Sequence, residues 1–218
     1  MLEQFCEQLK VGYPFFGKKK FSKIFSWKDL NLLLNLRPFV NNKRLVIFNN
    51  LEEYRCDGES WLTDINTYPP SLLKKIVYNN HCCLIDCSRV NQVVNNICLE
   101  LENLFQGSAD THIFFNLGNS KKELGIHYDY SHNFIIQQEG FSVVKIWDKI
   151  HYQYSKRNLN TIDELPVIEF NFEPGDFVFI PRHFYHEISS TSSKRMSLSF
   201  PISLNDEKPQ DRFWLNVQ

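Results

Sequence analysis

From Gly107 onward the hydrophobic period of the sequence changes. Short runs rich in β-branched and aromatic residues follow one another: Thr111–Phe115, Phe134–Gln137, Ser142–Trp147, Ile150–Tyr154, Val167–Phe172, Phe177–Ile180, Tyr185–Ser189 and Met196–Ile202. Turn signals separate them, including Gly118-Asn119-Ser120, Glu139-Gly140, Pro174-Gly175-Asp176 and the polar run from Ser189 to Ser193. Side chains two apart on a strand share a face, so such runs bury one face each and need a partner layer. About eight strands at this spacing point to a sandwich or a closed jelly roll.

The first 107 residues read differently. Ser26 is placed to cap a helix, with Asp29 three residues later and Trp27, Leu30, Leu32, Leu33, Leu34 and Leu36 as its apolar face. A second helix is expected from Ser71, after Pro69-Pro70, and a third from Val90 to Phe105, stopped by Gly107. Leu45–Phe48 and Cys82–Ile85 suit strands. No repeat and no linker divides the chain. The expectation is one domain over 1–218, mainly β with flanking helices: a largely helical part, 1–107, packed on the outside of a barrel, 108–204.

Composition narrows the function classes. Lys and Arg count 24 against 25 Asp and Glu, which excludes a surface that is polyanion-binding throughout. No apolar run reaches signal-peptide or membrane-span length, so a cytoplasmic protein with no membrane partner is expected. The six cysteines lack paired zinc spacing and are read as buried thiols, with a zinc role for His81, Cys82, Cys83 and Cys87 as the lesser alternative. Between Val11 and Lys28, five lysines (Lys18, Lys19, Lys20, Lys23, Lys28) interleave with Tyr13, Phe15, Phe16, Phe21 and Phe25, and no acid interrupts them. A solvated edge with its rings turned inward is the expected structure; a nucleic-acid surface along Lys18–Lys28 is the alternative.

The chemistry sits in Gly125-Ile126-His127-Tyr128-Asp129 and in Pro181-Arg182-His183-Phe184-Tyr185-His186. On a strand, His127 and Asp129 share a face and can reach one metal ion. A histidine from a neighbouring strand would complete two His and one carboxylate, the ligand set of non-haem Fe(II) oxygenases.

The segment Glu173-Pro174-Gly175-Asp176-Phe177-Val178-Phe179-Ile180-Pro181, then His186, resembles the "PGD, hydrophobic strand, IP, then H" segment of the cupin-like JmjC family of Fe(II)- and 2-oxoglutarate-dependent oxygenases. His127 and Asp129, followed by Asn133, Phe134, Gln137 and Gly140, stand in the order in which those enzymes carry their HxD, polar, aromatic, Gln and Gly positions. Phe25 to Leu34 is similar to the N-terminal helix of bacterial cupin-like members. The resemblance implies a double-stranded β-helix (jelly-roll, cupin) core. It also implies Fe(II) held by His127, Asp129 and His186, with His183 only a turn residue, 2-oxoglutarate as co-substrate, and O2. It gives Asn133 a place beside the co-substrate.

One departure matters. Members of the family usually carry Lys or Arg two residues after the Gly, pairing the distal carboxylate of 2-oxoglutarate; here that residue is Ser142. Lys145 lies an odd step further along the strand and should face away. The substitute is Arg195 with Ser197, which share a face nine residues past His186 and resemble the Arg-x-Ser clamp of other 2-oxoglutarate oxygenases. Gln137 shares the face of Asn133. Thr111 and Asn116 are further pocket candidates; Tyr128 and Tyr130 line either the substrate surface or the packing beneath an outer helix. The many Phe residues in the strands flanking the ligands (the chain has 19 Phe) predict a water-poor barrel around the metal.

The implied activity is hydroxylation of a C–H bond on a peptide or protein side chain, with a small metabolite as the next substrate class. A non-catalytic metal-binding cupin-like module, which Ser142 suits, and a cupin metalloenzyme that does not use 2-oxoglutarate remain as alternatives. The length leaves no room for the dimerisation and winged-helix domains of larger ribosomal oxygenases of this type, and a homodimer stays open.

Overall fold

The computed structural model describes residues 2–34, 45–49, 52–55, 78, 80–118, 124–150 and 158–204. After a short 3-10 turn come α1 (Cys6–Val11), β1 (Phe15–Gly17), α2 (Trp27–Leu34), β2 (Leu45–Asn49), β3 (Glu52–Arg55), β4 (His81–Leu84) and α3 (Gln92–Phe105). Then, among the described residues, strands alone follow: β5 (Gly107–Ala109), β6 (His112–Leu117), β7 (Ile126–His127), β8 (His132–Glu139), β9 (Ser142–Ile150), β10 (Asn158–Leu159), β11 (Ile168–Phe172), β12 (Phe177–Ile180), β13 (Phe184–Ser190) and β14 (Lys194–Leu204). The change of period at Gly107 is therefore a real boundary between mixed and all-β structure. Among the described residues no helix is long and apolar enough to cross a membrane.

Local signals account for the helix ends. Ser26 and Asp29 form a reciprocal cap: the Asp29 carboxylate accepts from the Ser26 amide at 2.8 Å and its hydroxyl at 2.6 Å. The α3 helix begins one residue past the Asn91 side chain, which accepts from Val94 N at 2.9 Å. Its end differs from expectation. Gln106, not Gly107, takes the left-handed conformation, and its amide bonds Glu102 O. Gly107 is needed for another reason: a β-carbon there would overlap the Ser203 carbonyl across the β5–β14 pair. The strands expected at Ser142–Trp147 and Ile150–Tyr154 are one strand as far as Ile150; residues 151–154, like the helix expected from Ser71 and like Cys56, lie outside the described residues.

The strands form two antiparallel sheets, ordered β1-β12-β8-β14-β6-β4-β2-β3, with β5 also on β14, and β10-β7-β13-β9-β11. They face each other as a jelly roll, so the expected double-stranded β-helix core is borne out. Alternation along the first sheet divides its side chains between two compartments. Ile135, Val178 and Ile180 turn inward and meet Val144, Ile146 and Phe172 of the second sheet. Phe134, Phe177, Phe179, Phe200, Phe115 and Leu198 turn outward onto Phe5, Phe21, Phe25 and the apolar faces of α2 and α3.

This corrects the expected place of the aromatic excess. Much of the Phe content of the metal-flanking strands glues the helices to the outside of the barrel, and the inner wall near the site is mainly aliphatic. Large flat rings suit the broad helix-on-sheet interface, where they tile edge to face, as Phe21 does on Phe134 and Phe177.

The basic run is strapped to the barrel by the Pro174-Gly175-Asp176 turn. Asp176, fully buried, accepts from Lys18 Nζ, from Lys19 N and from Glu173 N, all at 2.8–2.9 Å, and Gly175 O accepts from the amides of Lys20 and Phe21. Lys19 also faces Glu173, and Lys23 pairs with Glu139. With Phe15, Phe21 and Phe25 turned into the outer cluster, the run has the structure of the solvated edge.

Candidate functional site

The pair β7 and β13 sets His127 directly opposite His186, their rings 4.4 Å apart between centroids. Asp129 lies two residues past His127, just beyond the end of β7. His127 Nε2 stands 3.8 Å from Asp129 Oδ1, and His186 Nε2 stands 3.5 Å from Asp129 Oδ2. One ligand atom from each residue lies within 4.8 Å of the others, and among the described residues this is the one such cluster. His81, Cys82, Cys83 and Cys87 do not converge, since Cys82 and Cys83 point to opposite faces of β4.

Backbone carbonyls orient both rings. Gly125 O lies 2.9 Å from His127 Nδ1 and Phe184 O lies 3.0 Å from His186 Nδ1. Each carbonyl accepts the proton on Nδ1, leaving the Nε2 lone pairs turned toward the carboxylate. The carboxylate is oriented as well: Asn133 Nδ2 donates to Asp129 Oδ2 at 2.6 Å, and Ser199 Oγ donates to Asn133 Oδ1 at 3.2 Å. Asn133 thus holds Asp129 with one N–H of its amide group. A donor set of two neutral imidazoles and one carboxylate on one side of an ion fits a divalent first-row metal with positions to spare.

His183 does not join the cluster. It is half-buried at a turn with φ 70°, its amide donates to Asp129 O at 2.8 Å, and its ring meets Tyr128 and Tyr130 edge-on. Tyr128 itself is buried against Tyr185 and Trp147, which gives it a packing role. Thr111 turns outward, its hydroxyl 3.1 Å from Cys98 Sγ of α3, and leaves the list of pocket candidates.

At the other end of the barrel, Arg195 is 2% exposed, so it is no surface charge, and its Nη2 donates to Ser197 Oγ at 3.0 Å. Both belong to the inward face of β14, with Ser197 opposite Phe114 and Gln137 and Arg195 opposite Asn116. Ser142 is buried beside Gln137 Nε2, which donates to the carbonyls of Glu139 and Gly140. Lys145 faces outward, as its odd step along the strand requires, and stands opposite Glu169 and Glu187. Gly140, at φ +69°, lets the chain pass against the Lys194 carbonyl, where a β-carbon would overlap it. That close approach brings the Ser142 and Arg195 ends of their strands together.

Two inward residues carry signals that sequence reasoning did not use. Ser199 follows Arg195 and Ser197 at the same parity. His81 lies in the cysteine-rich strand, where the thiols drew attention; it is 2% exposed and stacks on Phe114. Burial, then the Arg195 charge, then that of His127, lower its pKa to about 3, so it is neutral.

The JmjC domain model matches residues 92–210 of the sequence. The chain belongs to the JmjC domain family. This JmjC chain is similar in fold to three structures of Escherichia coli YcfD. One aligns at a TM-score of 0.62 and 18% identity over 97% of this chain and 54% of that one. Another, described as a ribosomal oxygenase, aligns at 0.59 and 19% over 91% and 49%. A third, of YcfD with cobalt and 2-oxoglutarate, aligns at 0.57 and 18% over 91% and 49%. The chain spans about half the length of these structures. A comparison with curated protein sequences gave no significant match.

Proposed function

We propose that this JmjC-family chain is an Fe(II)- and 2-oxoglutarate-dependent oxygenase that hydroxylates a C–H bond of a protein side chain. The observation that carries the reading is the convergence of His127, Asp129 and His186 within 4.8 Å, each oriented by a second group. The likeness to the ribosomal oxygenase YcfD, one structure of which holds cobalt and 2-oxoglutarate, supports the co-substrate and a protein substrate.

In this reading His127, Asp129 and His186 hold the metal, and Arg195 with Ser197 anchors the co-substrate's distal carboxylate. When bound, iron and 2-oxoglutarate together supply the oxidising equivalent from O2, with succinate and carbon dioxide as co-products. The protein's part is geometry and exclusion. The carbonyls of Gly125 and Phe184 keep the imidazoles in one tautomer. Asn133 and Ser199 keep the carboxylate from rotating. Ile135, Val144, Ile146, Val178 and Ile180 wall the space between the sheets and keep water from a reactive centre. Residues 1–107 and 108–204 act as one unit, supported by the cluster that α1, α2 and α3 share with β8, β12 and β14.

The test is anaerobic reconstitution with Fe(II) and 2-oxoglutarate, followed by exposure to O2 with candidate ribosomal peptides. A visible charge-transfer band, then succinate and one added oxygen atom on a peptide, is the expected result. Iron binding with no band when 2-oxoglutarate is added removes the co-substrate, leaving the metal module that Ser142 would suit.

A further inference from the structure

The inward face of the larger sheet carries a row of three polar side chains. His81 of β4 is the Cα partner of Asn116 of β6, and Asn116 is the Cα partner of Arg195 of β14. Directly opposed residues of adjacent strands project to the same side, so the three stand abreast. They are 2%, 1% and 2% exposed.

We infer that His81 and Asn116 complete, with Arg195, the seat of the co-substrate's distal carboxylate. The inference rests on the proposed function and extends it to two residues with no assigned role. Buried amides are almost always hydrogen-bonded. Asn116 nevertheless has neither Nδ2 nor Oδ1 bonded among the described residues, and His81 Nδ1 is likewise unbonded. Three unsatisfied polar atoms in one row, beside a buried guanidinium, are atoms that a polar ligand would satisfy.

The chemistry of the row selects its occupant. One fixed positive charge with two neutral groups matches a single carboxylate; a phosphate dianion would be left with excess charge. His81 can serve only as a neutral group, because burial and Arg195 together keep its ring unprotonated. Its orientation is set by Phe48 and Phe114, whose ring centroids each lie 5.7 Å from its own. The row also explains how Ser142 is tolerated: the carboxylate is recognised from β4, β6 and β14, so the strand that carries Ser142 need not supply a cation.

The test uses the full chain loaded with Zn(II), which does not turn over, and isothermal titration with 2-oxoglutarate and with 2-oxopentanoate, which lacks the distal carboxylate. Asn116→Leu and His81→Phe are expected to weaken 2-oxoglutarate by about tenfold or more each while leaving 2-oxopentanoate unchanged. Asn116→Asp, nearly isosteric and still polar, should weaken 2-oxoglutarate further through like charge. Variants that bind 2-oxoglutarate as the parent does, or that lose both ligands equally at unchanged melting temperature, overturn the row and leave the proposed function standing. A parent protein that binds Zn(II) but neither 2-oxo acid overturns both.

Discussion

Arg195→Met keeps most of the unbranched side-chain stem and removes the guanidinium, so it separates charge from packing. Arg195 is 2% exposed and shares its environment with the neutral groups of Ser197, Asn116 and His81. A carboxylate bound there meets one desolvated charge, and losing one member of such a pair costs about 2–5 kcal/mol. Taking about 3 kcal/mol, 2-oxoglutarate should bind on the order of 100-fold more weakly to the Zn(II)-loaded variant. Stability should move the other way or not at all, because a buried guanidinium carries a desolvation cost that Met does not. The His81 ring supplies an independent readout: its depressed pKa owes most to burial and next to Arg195, so in the variant it should rise and still stay below 6.5. Calorimetry, thermal melting and NMR titration of the ring measure the three effects. Unchanged 2-oxoglutarate affinity would move the anchor elsewhere, and a large drop in melting temperature would show that Arg195 is structural.

His186→Ala should abolish the melting-temperature rise that divalent metal gives the parent, while the metal-free stabilities stay close. Asp176→Ala leaves the partly buried amides of Lys19 and Glu173 without their acceptor and should cost about 2 kcal/mol in denaturant unfolding, with new proteolytic cleavage near Lys18–Lys20. Burial, and after it the neighbouring Asp86, raise the Asp110 pKa to about 6, with His112 Nε2 3.8 Å away. A raised carboxyl pKa means that the folded state binds the extra proton, so this contribution to stability falls as pH rises from the unfolded value through about 6. Asp110→Asn should therefore gain little near pH ~4 and about 2 kcal/mol at neutral pH; an advantage independent of pH would refute that assignment.

The convergence of the candidate-site histidines and the Arg195–Ser197 pair were legible because strand alternation and local spacing carry that information. Asp129 was legible from its spacing two residues after His127, while its place beyond the end of β7 was not. Asn133 was placed near the site, but its bond to Asp129 was not legible, since it depends on how the loop returns to β8. Thr111 failed as a pocket residue because parity alone does not say which of two faces is the inner one. His81 was weighed only as a zinc ligand, because its place beside Asn116 depends on which strand lies beside β6.

Sequence by itself determined the period, and with it the strands, the helix caps, the ordering of the metal-ligand motif and the lack of a cation at Ser142. Those are properties of neighbours along the chain, where sterics and side-chain alternation act over a few residues. Tertiary structure decided which face of each strand is inside: it sent Phe134, Phe177, Phe179 and Phe200 out to the helices and kept His81, Asn116 and Arg195 in. The physical reason is that burial is a property of packed layers. A strand with apolar residues on both faces is equally satisfied either way round until a second sheet and a helix each claim one side.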